Sequence, residues 1–139
     1  MYVYAMCFIL SHEYAHAKYN LYNGTKKDEE KADSIAVKLL ITGSQNNNEL
    51  GNRAIAGLLG LGAIMLLSKF LQSNSHPDID KRIYDYINNI GINDDNNEIW
   101  ALACIIYAYW DHEYDIKLNF FHDNLSLTYK ERFDSLFNQ

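Results

Sequence analysis

Apolar residues recur at helical intervals along most of the chain, and no window sustains the period-two alternation of a strand. Met1 to about Tyr22 is an apolar run punctuated by Ser, His and Glu, and Asn23-Gly24 supplies the left-handed-tolerant pair that ends it. Thr25 opens a second helix with Asp28, Glu29 and Glu30 in its first turns, where the helix dipole favours negative charge. Ala32, Ile35, Ala36, Leu39 and Leu40 then form an apolar stripe at i, i+3, i+4, i+7 and i+8. A polar loop over 43–48 leads to a third helix, from Glu49 to about Leu71. Its Gly57, Gly60 and Gly62 cost helix propensity and so mark close approach to another backbone.

Asn74-Ser75-His76-Pro77 reads as the start of a fourth helix, because proline suits the first helical position. Ile79, Ile83, Tyr86, Ile87 and Ile90 form its apolar face, and Gly91 stops it. After a polar loop over 93–97, Asp95 and Glu98 resemble a capping box for the helix WALACIIYAYW, and Thr128 with Glu131 forms another ahead of Phe133, Leu136 and Phe137. The expectation is an all-α fold of five to seven helices. Its 139 residues are enough for one core and too few for two, so residues 1–139 form a single domain.

Charge narrows the partners. A net charge of −6, with no basic cluster longer than Lys26-Lys27, repels phosphate backbones and argues against nucleic acid. Cys7 and Cys104 stand alone in apolar runs, which predicts buried free thiols in a reducing, cytoplasmic compartment. No basic segment precedes the N-terminal apolar run and no small-residue cleavage site follows it, as a signal peptide would require. Ala54 to Leu67 is uncharged, but these residues fall short of the ~20 that span a bilayer, so the segment reads as a core helix. Phe70 and Leu71, beyond Lys69, keep a membrane contact open as the alternative.

The chemistry concentrates in Ser11-His12-Glu13-Tyr14-Ala15-His16, which contains H-E-x-x-H. On a helix His12 and His16 lie one turn apart on one face, so both rings can reach a single zinc ion, and Glu13 beside them can take a proton from the attacking water. With five His in the chain, chance would produce the pattern on the order of 0.01 times. A third ligand comes from the next helix. Seven residues from His16 to the turn rise roughly 10 Å, and five residues back to Glu29 descend roughly 8 Å. An αα-hairpin therefore returns Glu29 to the level of His16, with Glu30 as second choice, and Asp33 one turn on, placed to receive the free N–H of a liganding histidine. Without the upstream motif, Glu29 and Glu30 would read as a solvated first turn.

HEYAH followed by EEKADSIA resembles the H-E-x-x-H…E-x-x-A-D pattern of gluzincin metallopeptidases, and SHPDIDKRI resembles the H-P-x-x-x-x-R-I segment of CaaX-processing and heat-shock zinc peptidases. Together these motifs cover roughly residues 8 to 90, and Lit-like phage-exclusion peptidases are similar in style. The resemblance implies a helical zincin-like domain, with a zinc site in 8–40, the helix carrying the H-P segment in 74–90, and C-terminal helices in 95–139. It implies Zn2+ held by His12, His16 and Glu29, with Glu13 as base and Asp33 orienting a ligand. It also implies that His76 stabilises the oxyanion and that Arg82 braces a carboxylate. Read from the residues alone, His76 caps a helix before Pro77 and Arg82 is a solvated helix residue. The implied substrate is an intracellular protein or peptide; for Lit it is elongation factor Tu.

The pattern departs from the family in two respects: the gap between His16 and Glu29 is shorter than in most relatives, which the hairpin spacing accommodates, and the upstream strand is missing. Zincins place an edge strand before the H-E-x-x-H helix to align the substrate, whereas the residues before Ser11 read as part of that helix. The expectation is the C-terminal part of a larger peptidase, or a chain whose partner supplies the sheet. The leading function is a zinc-dependent endopeptidase. The alternatives are a zinc-binding, catalytically incomplete regulatory or immunity-type module, and a helical interaction protein in which HEYAH is accidental. His112, in DHEYD, lacks a second histidine because Ile116 stands at that position, and His122-Asp123 reads as a loop pair.

Overall fold

The residues between Tyr2 and Tyr19 form α1 (Tyr2–Tyr19), which is apolar almost all round yet buries one face, through Phe8, His12 and Ala15, and leaves the other exposed. The structure is a computed structural model that describes residues 2–23, 25–67, 78–91, 98–117 and 124–129. It is all-α: α1 is followed by α2 (Lys26–Ile41), α3 (Asn47–Leu66), α4 (Ile79–Ile90) and α5 (Glu98–Tyr114), with a further short helical stretch at 125–129 and no strand among the described residues.

α1 ends at Tyr19, earlier than the Asn23-Gly24 pair suggests. Asn20 takes the left-handed conformation (φ 52°), and the Leu21 N–H reaches back to the His16 carbonyl at 3.1 Å, a Schellman-type cap. Thr25 caps α2 as expected: its hydroxyl accepts from the Asp28 N–H, and the Asp28 carboxylate accepts from the Thr25 N–H. Ala15 on α1, Leu21 in the turn and Ala32 on α2 are buried together and close this antiparallel hairpin.

The other end of α2 is held from α3. Arg53 donates to the Leu40 and Thr42 carbonyls at 2.9 and 3.0 Å, satisfying groups that a helix terminus leaves open. α3 starts two residues before Glu49, with Asn46 as its N-cap. Its glycines mark close approach, but at Gly57 and Gly62 it is to side chains and not to another backbone. Gly57 faces the Tyr86 ring and Gly62 faces Ile106, with no room at either for a Cβ, while Gly60 lies near Phe8 and the Ala5 carbonyl. α3 is long and apolar enough to cross a membrane by length and composition, yet Leu58, Leu61 and Met65 are buried in the helix layer. Leu59, Ile64 and Leu67 stay exposed.

α4 begins at Ile79 with Asp78 as N-cap, later than Pro77 would place it, and stops at Gly91 (φ 78°). His76 and Pro77 lie outside the described residues, as do Asp95 and Glu131 of the two expected capping boxes. Thr128 is no cap: it lies inside the 125–129 helix, which Asn124 caps by accepting from the Leu127 N–H at 2.8 Å. One further expectation is corrected. Cys7 is exposed on the outer face of α1, and Cys104 is half-buried, because the apolar run around Cys7 continues onto the side of α1 that no described helix covers.

Candidate metal centre

The hairpin brings three side chains to one point between α1 and α2. The Nε2 atoms of His12 and His16 lie 3.1 Å apart. Glu29 reaches both, with Oε2 at 3.4 Å from His12 Nε2 and Oε1 at 3.3 Å from His16 Nε2. These ligand atoms all lie within 4.8 Å of one another and could hold a metal ion. Glu29 is 5% exposed and His12 9%, so the cluster is largely withdrawn from water.

The opposite nitrogen of each ring is already engaged. The Asp33 carboxylate accepts from His12 Nδ1–H at 2.9 Å, and the Leu21 carbonyl accepts from His16 Nδ1–H at 2.7 Å. Both partners are pure acceptors once Asp33 is ionised, so each neutral ring carries its proton on Nδ1. Both Nε2 lone pairs are left facing each other and the Glu29 carboxylate. Four electron-rich atoms converge on one small volume, an arrangement that a cation seated among them would stabilise.

Asp33 is held ionised by its neighbours. Burial works to raise its carboxyl, but the hydrogen bonds from His12 and Arg82 and the charge of the guanidinium outweigh it, leaving the group below the usual carboxylate range. Arg82 grips Asp33 in a fork, Nε to Oδ2 at 2.7 Å and Nη2 to Oδ1 at 2.8 Å. The order Arg82–Asp33–His12 thus runs from α4 through α2 to α1, fixing the ring of one cluster member from behind.

The remaining predicted residues fall elsewhere. Glu13, next in sequence to His12, is exposed. Glu30 points away from the histidines and pairs with Lys81 at 2.8 Å, so of the two acidic alternatives it is Glu29 that joins the cluster. His76 lies outside the described residues. Sequence reasoning passed over the Leu21 carbonyl, a backbone group that no motif displays. Its trace in the sequence is Asn20, a residue that tolerates the left-handed conformation directly after a histidine-bearing helix.

Residues 1–103 match the peptidase U49 family, a span that contains His12, His16, Glu29, Asp33 and Arg82. The chain belongs to the peptidase U49 family. The match runs from α1 through α4 into the first turns of α5, so the cluster and the helix that braces it both lie inside the peptidase portion. No curated protein and no solved structure matches the chain.

Proposed function

We propose that this U49 peptidase is a zinc-dependent endopeptidase acting on an intracellular protein, with His12, His16 and Glu29 holding the metal. The observation that carries the reading is the convergence of the His12 and His16 Nε2 atoms on a buried carboxylate, with both Nδ1 atoms engaged by other acceptors. Two imidazoles and one carboxylate are the donor set of catalytic zinc sites, which keep a further position open. When bound, zinc supplies Lewis acidity that polarises the scissile carbonyl and makes water more acidic.

Glu13 is the general base in this reading. It takes a proton from the attacking water as the new C–O bond forms, then delivers it to the leaving nitrogen as the C–N bond breaks. Its exposure leaves it open to a substrate chain. Asp33 keeps His12 in the Nδ1–H form, and Arg82 keeps Asp33 ionised. His76 is assigned to the oxyanion through its sequence motif.

A second reading, a zinc-binding module without proteolysis, is favoured by one observation. No strand lies beside α1 among the described residues, and Tyr2, Val3 and Leu10 on its outer face are 78%, 66% and 62% exposed. Two measurements separate the readings. Metal analysis of the purified chain is expected to give near-stoichiometric zinc that His12→Ala abolishes, and a metal-free parent would refute both. Glu13→Gln is expected to retain zinc and lose cleavage of a protein substrate; unchanged biological activity in that variant would establish the non-catalytic module.

A further inference from the structure

We propose that Asn20 is a positioning residue for the metal centre, acting on His16 through the carbonyl of Leu21; the inference rests on the zinc reading above. His16 sits in the last turn of α1, where a helix end lacks partners for its own carbonyls and its side chains lack the constraint of a following turn. The left-handed Asn20 (φ 52°) reverses the chain so that both polar groups of Leu21 face back to residue 16. The Leu21 N–H donates to the His16 carbonyl at 3.1 Å, and the Leu21 carbonyl accepts from His16 Nδ1–H at 2.7 Å. The Leu21 side chain is 6% exposed and packs with the fully buried Ala15 and Ala32, which pins the carbonyl in place.

The two histidines are therefore oriented by unlike devices. His12 depends on a side-chain carboxylate, Asp33, whereas His16 depends on a backbone conformation that residue 20 must adopt. Asparagine enters the left-handed region with little strain and glycine with none, but a β-branched residue there is an outlier. Groups that orient a ligand from behind typically change metal affinity 10–100-fold when lost.

The test compares the full-length parent with Asn20→Val and Asn20→Gly, in two measurements. The first reads the imidazole tautomers of the metal-free chain from long-range proton–nitrogen NMR spectra in alkaline buffer. The second reads zinc affinity by competition with a chelator. The parent is expected to hold His16 in the Nδ1–H form. Asn20→Val is expected to release His16 to the Nε2–H form that free imidazole favours and to weaken zinc binding about tenfold, with His12 keeping its Nδ1–H tautomer against Asp33. Asn20→Gly is expected to restore both readings. If Asn20→Val does not fold, Asn20→Ala gives the same comparison with less strain. The proposal is overturned by an Asn20→Val or Asn20→Ala variant with parental tautomer and affinity, or by a parent whose His16 carries its proton on Nε2. A parent that binds no zinc refutes the metal reading instead, while the tautomer spectra still decide whether Asn20 sets the ring.

Discussion

Asp33 and Asp80 are both buried carboxylates, 9% and 0% exposed, and α4 touches the first and carries the second. Asp33 receives a guanidinium fork and an imidazole N–H, and stays below the usual carboxylate range despite its burial. Asp80 receives the Lys81 backbone N–H at 2.9 Å on one oxygen, and its other oxygen meets no donor among the described residues. Burial, with nearby Asp78 adding to it, pushes the Asp80 carboxyl up to about 7. The Asp80 backbone carbonyl accepts from the hydroxyl of Tyr129 at 3.0 Å, a ring that packs against Trp100 and Tyr107. Burial alone therefore does not set the state of a carboxylate; the number of donors delivered to it does. One turn of α4 serves both regions, with Asp80 against Tyr129, Arg82 in the site and Lys81 at the surface between them.

The largest way to break this contrast is Arg82→Ala, which leaves Asp33 buried with the His12 N–H as its remaining side-chain donor. Urea unfolding is expected to show a loss of about 3–5 kcal/mol, the usual cost of stranding one member of a buried ion pair. A loss below about 1 kcal/mol would mean that Asp33 and Asp80 are equally supported.

Titration sharpens the contrast from the other side. The folded Asp80 carboxyl near 7 lies above its ordinary 3.8, so between those values the folded chain holds a proton that the unfolded chain has released. Stability from this group is full at about pH 4, falls as pH rises through 7, and is level above that, a change of about 4 kcal/mol at ~1.4 kcal/mol per pH unit. Asp80→Asn is expected to flatten that part of the pH–stability curve and to exceed the parent in stability at about pH 8. A parallel curve for the variant would remove Asp80 from the comparison.

The smallest effect is expected at Lys81, whose ammonium bridges Glu30 and Asp85 at 2.8 and 2.6 Å in partly exposed surroundings. Lys81→Ala should shift unfolding by less than about 1 kcal/mol. A larger loss would show that the surface network, and not the Arg82 fork, holds α4 to α2.

What the sequence discloses divides along the same physical lines. The amphipathic stripes of α2 and α4 declare most of their buried faces, with Leu39 of α2 the exception at 47% exposed, and the glycines of α3 declare close contact because a missing Cβ is a visible trait. The juxtaposition of Glu29 with His12 and His16 follows from helical rise, and it survives a turn made at Asn20 instead of at Asn23-Gly24 because Thr25 still starts α2 in register. Three features leave no such mark. The Leu21 carbonyl is backbone and has no letter of its own. Asp80 is a polar residue on an apolar face, which reads as an ordinary first-turn acid until its neighbours are known. Arg53 looks like a solvated cation, yet it closes the C-terminal carbonyls of the preceding helix from thirteen positions away.

Tyr86 stands one turn beyond Arg82 on α4, and its hydroxyl passes over Gly57 to donate to the Ala54 carbonyl of α3 at 2.8 Å. Successive turns of one helix are thus moored to two different neighbours, α3 through Tyr86 and α2 through Arg82. A slide of α4 by a single residue would displace both moorings by about 1.5 Å, enough to carry each beyond hydrogen-bonding length. α4 works as a crossbeam, stiff along its own axis, and a load applied to either neighbour is carried by both.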